Sequence, residues 1–281
     1  MCGIMGMVLG KRHRTEGELE TLRLDFLDLL VSTESRGRDA VGAFVLNPTG
    51  VRFHKTAGSA SDAVWQDGKL WGLMDQVTNE TTAVIGHTRL ATLGCPSCND
   101  TNHPLSSRTL IGVHNGMIRN HAELRDLYPY DAEVDSGAIF SMLSAKAVDP
   151  LTTGTLVQAL PELSGSIAIA VADRRKTGSV FIARNNTTSP LVTRVDTKRD
   201  ILWIASTVTI MNEGLNEVRA THHVADNVVA ELTRDNAEGK PIKYIPWTPK
   251  KETPRFSLIS RTKKPYWKDQ WQTFVGGKRI R

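Results

Sequence analysis

The residues best suited to catalysis lie at the start of the chain, Met1-Cys2-Gly3. A small second residue permits removal of Met1, which would leave a thiol and a free α-amine on Cys2. A free thiol titrates near ~8.5 and is mostly protonated at neutral pH, whereas an α-amine titrates near ~7.7–8.0 and can accept the thiol proton. Nucleophile and base would then lie a few bonds apart, without a separate histidine. Taken alone, the segment favours a plainer interpretation, a buried cysteine at the start of a strand.

Four further segments carry polar residues whose types suit chemistry on an amide. They are Arg36-Gly37-Arg38-Asp39-Ala40-Val41-Gly42, Gly86-His87-Thr88-Arg89-Leu90-Ala91-Thr92, Val113-His114-Asn115-Gly116 and Glu133-Val134-Asp135-Ser136. Each has an ordinary alternative. Arg89 and Asp135 could be surface charges, and Asn115-Gly116 is the commonest dipeptide of hairpin turns.

The hydrophobic pattern predicts the elements that must position these segments. Apolar residues spaced by three and four predict a helix over 16–34. Further helices are predicted over 60–76, 120–127 and 135–147, and strands over 40–46, 51–54, 82–88, 109–114, 166–172, 180–183, 191–194, 202–205 and 227–232, with 94–104 as a loop and Asn115-Gly116 as a turn. Because strands and helices do not alternate regularly, the order predicts an α+β fold, two packed sheets flanked by helices.

Composition and charge separate an acidic body from a basic tail. Residues 240–281 hold 12 Lys/Arg and 2 Asp/Glu, whereas residues 1–239 hold 23 and 28. We therefore divide the chain into a domain at 2–239 and a basic, aromatic and proline-containing tail at 240–281. The three cysteines are too few for a disulfide framework. No apolar run approaches the ~18–20 residues that cross a bilayer, and no signal-peptide layout is present, so we expect a soluble, cytoplasmic protein without membrane contact.

The five segments, in this order and with an N-terminal cysteine, resemble the class II glutamine amidotransferase domain. Glucosamine-6-phosphate synthase, asparagine synthetase, glutamate synthase and phosphoribosyl-pyrophosphate amidotransferase share this domain. The similarity is strongest to the glucosamine-6-phosphate synthase branch, through Arg-Gly-x-Asp and Gly-His-Thr-Arg, and covers roughly residues 2–230. The resemblance implies the four-layer αββα sandwich of the N-terminal-nucleophile hydrolases, and no cofactor or metal.

The resemblance also implies a role for each site residue. Cys2 would attack the side-chain amide of L-glutamine, form a thioester and release ammonia. Asn115 and Gly116 match the oxyanion hole, through a side-chain amide and a backbone N–H. The substrate-binding positions are Arg89 for the α-carboxylate, Asp135 for the α-ammonium, Thr92 as a neighbouring contact and Arg36 in the segment behind the nucleophile.

Two groups of residues stay outside this scheme. His87, His103 and His114 could suggest a metal site or a triad, but we favour structural roles for them. Cys95-Pro96-Ser97-Cys98 has the spacing of half a zinc site or a redox pair. No second such pair exists, so incidental thiols are the favoured interpretation and metal or redox function the alternative.

The sequence also suggests partners and competing functions. Since the similarity includes no acceptor domain, we expect a separate synthase to use the ammonia, for amidation of an amino sugar or a modified nucleobase. The tail aromatics could dock that partner, pack on the body or contact nucleic acid. Alternative functions are an N-terminal-cysteine hydrolase of another amide and a catalytically silent scaffold of the same fold.

Overall fold

The computed structural model of the chain describes residues 1–66, 68–186 and 188–249. They form thirteen strands: β1 Gly3–Leu9, β2 Ala40–Asn47, β3 Gly50–Ala57, β4 Ala83–Arg89, β5 Leu105–Ser107, β6 Leu110–Ile118, β7 Gly165–Asp173, β8 Lys176–Arg184, β9 Val192–Asp196, β10 Ile201–Ala205, β11 His222–His223, β12 Val228–Thr233 and β13 Tyr244–Pro246. They also form eight α-helices: α1 Glu16–Thr33, α2 Ala60–Trp65, α3 Lys69–Met74, α4 His121–Leu127, α5 Ser136–Lys146, α6 Thr153–Ala159, α7 Val208–Gly214 and α8 Arg234–Ala237.

The strands make two sheets in which all neighbours run antiparallel. One sheet has the order β11-β9-β10-β1-β4-β2-β3, and the other has the order β13-β12-β8-β7-β6-β5. Helices α1, α2, α3 and α7 contribute to a core on the outer face of the first sheet. Helices α4, α5 and α6 do the same for the second sheet. The predicted αββα arrangement is confirmed.

Residue alternation along β1 shows how one strand serves two cores. Met5, Met7 and Leu9 point to the helices. Ile4 and Val8 point to the opposite sheet and belong to the core between the sheets. This period of two is what a strand buried on both faces requires, since successive side chains leave the backbone on opposite sides.

The structure corrects two predictions of secondary structure. The helix expected over 60–76 is two short helices, and Gly68, at the N-cap of the second, has a left-handed backbone with φ of 67°. Asn115 and Gly116, expected as a turn, lie inside β6 opposite Ala168 and Ile167 of β7. A local turn preference therefore gives way to pairing with a distant strand.

The predicted tail begins at residue 240, and only residues 240–249 of it lie in the described part of the chain. There, β13 pairs with β12 at the edge of the second sheet. Trp247 is 5% exposed and packs in the core beneath α4–α6. The predicted roles of the later tail residues fall outside the described residues. Within the described ranges, no helix is long and apolar enough to cross a membrane.

Candidate active site

Strand alternation brings the candidate nucleophile and the candidate oxyanion donor to the space between the sheets. Cys2, which directly precedes β1, shares the face of Ile4, and Asn115 in β6 shares the face of Val113. Both Ile4 and Val113 are buried between the sheets. Arg89 ends β4, which pairs antiparallel with β1. Three segments that are far apart in sequence therefore meet at one end of the sandwich.

Cys2 is partly buried and held by backbone contacts. Its Sγ lies 3.5 Å from the carbonyl oxygen of Leu90, and its own carbonyl accepts a hydrogen bond from Arg36 Nε at 2.6 Å. Burial raises the pKa of the Cys2 thiol, and positive charges, including Arg89, offset this only in part. A thiol that stays protonated at neutral pH needs a base to become a nucleophile.

Ser206 connects the strand of the nucleophile to Asn115. Strand β10 ends at Ala205, one residue short of the position opposite Ile4. The Ser206 hydroxyl takes over there, because it accepts from the Ile4 N–H at 2.8 Å and donates to the Ile4 carbonyl at 3.1 Å. It also accepts from Asn115 Nδ2 at 3.1 Å. One donated and two accepted bonds use the full capacity of a hydroxyl.

The bond to Ser206 fixes the Asn115 side chain but uses only one of the two hydrogens on its amide nitrogen. An amide nitrogen carries two hydrogens, and Ser206 takes one of them. The Ser206 bond leaves the second hydrogen unused. Asn115 is 2% exposed, so its orientation is set by the protein rather than by water.

Gly116 has a backbone conformation that a side chain would disturb. Its φ is 138°, and a Cβ built on it would lie 1.9 Å from the Ser166 carbonyl oxygen. Only glycine therefore fits here while β6 keeps its pairing with β7.

Three histidines are buried beside Asn115. His87 hydrogen-bonds through Nε2 to the His114 carbonyl at 3.1 Å, and His114 Nδ1 lies 2.8 Å from Ser136 Oγ. The rings of His87 and His103 have centroids 4.3 Å apart. Burial lowers the pKa of His87 to about 3 and also lowers the pKa of His103 and of His114. These rings are neutral at physiological pH.

Arg89 is 3% exposed, and the loop that follows β4 surrounds its guanidinium. Nη1 donates to Thr101 Oγ1 at 3.1 Å and to Asn102 Oδ1 at 2.7 Å. Nη2 donates to the carbonyls of Leu93 and Gly94. Both terminal nitrogens are thus engaged by the protein, and a carboxylate ligand has to replace some of these partners.

The two remaining predicted contacts differ in their surroundings. Asp135 is 5% exposed at the N-cap of α5, and its Oδ2 accepts from the Ile118 N–H at 2.6 Å. Its negative charge acts to raise the pKa of both Cys2 and Arg89. Thr92 is exposed in the loop after β4. The described residues show no hydrogen bond between Thr92 and the rest of the site.

Comparison with known proteins decides the family. A glutamine amidotransferase domain profile matches residues 87–213. The isomerizing glutamine–fructose-6-phosphate aminotransferase of Staphylococcus epidermidis is 28% identical over 249 residues, which cover 86% of this chain and 38% of the relative. The chain carries a class II glutamine amidotransferase domain. The predicted membership is therefore confirmed, although the match spans well under half of that relative's length.

Solved structures share the fold of the amidotransferase domain. The glutamine phosphoribosylpyrophosphate amidotransferase of Bacillus subtilis has a TM-score of 0.63 at 16% identity, over 88% of this chain and 49% of that one. A glutamine aminotransferase class-II domain protein of Silicibacter pomeroyi has a TM-score of 0.55 at 10% identity, over 88% of this chain and 100% of that one.

Sequence reasoning missed the residues that hold this site together. Ser206, Thr101 and the side chain of Asn102 act through hydrogen bonds that join distant segments, and no local motif marks them. Asp39 is similar, since its carboxylate accepts from the Ala91 N–H at 2.7 Å beside Arg89. Asp39 lies in the Arg36–Gly42 segment, but nothing in that segment indicates which partner its carboxylate takes.

Proposed function

We propose that this chain hydrolyses L-glutamine to glutamate and ammonia, with Cys2 as nucleophile once Met1 is removed. The observation that carries the proposal is the Ser206 hydroxyl, which binds β1 next to Cys2 and the Asn115 amide at the same time. These bonds fix the position of the nucleophile relative to the proposed oxyanion donor, as acyl transfer requires.

The proton balance follows from the burial of the thiol. Because burial raises the pKa of Cys2, its thiol is protonated at neutral pH and must lose its proton during attack. The α-amine exposed by loss of Met1 accepts that proton and later returns it to the leaving ammonia. The buried histidines do not fit this role, since the pKa of His87 is lowered to about 3.

Binding of the substrate uses the two charged residues beside Cys2. The Arg89 guanidinium binds the α-carboxylate by exchanging loop carbonyls for carboxylate oxygens. Asp135, already oriented by the Ile118 N–H, accepts from the α-ammonium. Thr92 and Arg36 complete the proposed contacts, Arg36 by holding the carbonyl of Cys2.

We further propose that the ammonia serves a synthase on another polypeptide. The Silicibacter pomeroyi protein supports this, because the match to this domain spans its whole chain. The Staphylococcus epidermidis relative, a glutamine–fructose-6-phosphate aminotransferase, favours a sugar phosphate as nitrogen acceptor over a nucleobase.

The test measures glutamate and ammonia release from glutamine by the wild type, Cys2→Ala and the control Cys98→Ala, all in dithiothreitol. We expect equal amounts of the two products from the wild type and the control, and neither from Cys2→Ala. Mass spectrometry should show that Met1 is absent and that a diazoketone analogue of glutamine alkylates Cys2. Equal activity in Cys2→Ala, or an active chain that retains Met1, would contradict the mechanism.

A further inference from the structure

The Cys95–Cys98 turn brings two exposed thiols together. Both cysteines are solvent-exposed, and the Cys98 N–H donates to the Cys95 carbonyl at 3.1 Å, which closes a four-residue turn. The Cα atoms at the ends of such a turn lie within ~7 Å, and disulfides span ~4.4–6.8 Å. The two sulfurs can therefore be joined with little movement of the backbone.

The described residues around this turn do not complete a metal site. No group of three or more His, Cys, Asp or Glu side chains suited to a metal ion occurs in residues 1–66, 68–186 and 188–249. Hydrogen bonds from Ser97 lower the pKa of the Cys95 thiol, which favours its reactive thiolate form. The chemistry of this pair is therefore that of a dithiol.

The turn is connected to Arg89 through one layer of side chains. Thr101 Oγ1 lies 2.6 Å from the Cys95 carbonyl oxygen and 2.9 Å from that of Cys98. Asn102 Nδ2 donates to the Pro96 carbonyl at 2.7 Å. The same two side chains accept hydrogen bonds from Arg89 Nη1. A change in the backbone of the turn therefore also changes the hydrogen-bond partners of the Arg89 guanidinium.

The residue before the turn contacts Arg89 directly. Nη2 donates to the Gly94 carbonyl at 3.3 Å and also to the Leu93 carbonyl. For a carboxylate to reach Nη2, these carbonyls have to move away. Such movement requires freedom in the chain at Cys95, which a covalent link to Cys98 restricts.

We propose that Cys95 and Cys98 form a redox pair, and that its oxidation to a disulfide weakens glutamine binding at Arg89. The inference rests on the proposed function, because it assigns glutamine as the ligand of Arg89. It adds a modification site to the loop that faces the substrate carboxylate.

The oxidant is a low-molecular-weight disulfide. The Cys95 thiolate attacks one of its sulfurs, forms a mixed disulfide and releases one thiolate. The Cys98 thiolate then attacks the Cys95 sulfur and releases the second. The pair loses two protons and two electrons, and one external disulfide becomes two thiols. A dithiol reductant reverses the reaction.

The experiment compares full-length wild type with Cys98→Ser after incubation in oxidised glutathione or in dithiothreitol. In oxidised wild type, peptide mass mapping should show a Cys95–Cys98 disulfide with Cys2 free. We expect its KM for glutamine to rise about ten-fold, the effect of weakening one charge-assisted hydrogen bond, with kcat changed less. Dithiothreitol should restore KM, and Cys98→Ser should show no shift.

A binding measurement separates this inference from the proposed function. Calorimetric titration of glutamine into Cys2→Ala should show the same loss of affinity on oxidation, independently of turnover. A disulfide that leaves KM and affinity unchanged overturns the inference, and so does oxidation that yields only mixed disulfides. An inactive, fully reduced wild type would instead contradict the proposed function itself.

Discussion

Replacing Ser206 with alanine tests whether one hydroxyl holds the candidate active site together. The substitution removes the partners of the Ile4 N–H and carbonyl, and Ile4 is fully buried. An unsatisfied buried polar group costs about 1–3 kcal/mol, so two such groups should lower the free energy of unfolding by about 2–6 kcal/mol. The change also frees the Asn115 amide.

The catalytic effect should be smaller than that of losing the oxyanion donor outright. Removing such a donor costs about 3–4 kcal/mol of transition-state stabilisation. Because Ser206→Ala loosens Asn115 without removing it, we expect kcat to fall roughly ten-fold, equivalent to ~1.4 kcal/mol. The KM for glutamine should change little, since Arg89 and Asp135 keep their contacts.

The assay combines urea unfolding with steady-state glutaminase kinetics, and Ser179→Ala is the matched control. Ser179 is 1% exposed in β8, and its hydroxyl has no hydrogen-bond partner among the described residues. Its replacement should be nearly neutral in both assays. Equal unfolding free energies and equal kcat for the two variants would refute the role assigned to Ser206.

Two further predictions concern Gly116, the predicted oxyanion glycine, and the buried histidines. Gly116→Ala should lose most glutaminase activity and at least about 2 kcal/mol of unfolding free energy, because of its positive φ and the clash with a neighbouring carbonyl. Gly178→Ala, with no atom within 4 Å of its added Cβ, should be neutral in the same kinetic and urea assays. For pH, the pKa of His87 is lowered to about 3 in the folded protein, so below its ordinary value of ~6.5 the unfolded chain binds the proton first. The free energy of unfolding should therefore be highest above pH ~6.5 and fall towards pH 3, by up to ~1.4 kcal/mol per pH unit for each such histidine. Urea midpoints at pH 7 and pH 5 test this prediction. The decrease should persist when the exposed His13 is replaced by glutamine.

Features that depend on residues close together in the sequence could be predicted, whereas features that depend on distant residues could not. Helix α1 was predictable almost to the residue, because its start depends on a capping box between Thr15 and Glu18 and its face on a local apolar period. The layered fold also followed from the order of elements. These features are encoded within a few residues of where they occur.

The errors arise where distant segments decide the outcome. Asn115-Gly116 has a local turn preference, but pairing with β7 across about fifty residues makes it strand. The Ser206 bonds span 202 residues to Ile4 and 91 to Asn115, so no window of sequence contains both partners. The motifs supplied the candidate site residues, whereas the residue that supports them depends on where β10 ends.

The burial of Trp247 limits how far the polypeptide can be truncated from its C-terminal side. Its indole packs under the helices of the second sheet. The backbone N–H of Trp247 donates to the Asn227 carbonyl at 2.9 Å. Ending the chain at Gly239, the predicted domain boundary, would remove this tryptophan and also β13, which pairs with β12 at the edge of the sheet. Deleting a buried tryptophan side chain costs about 3–5 kcal/mol, a large part of the stability of an ordinary domain. The smallest autonomous unit therefore extends past Trp247.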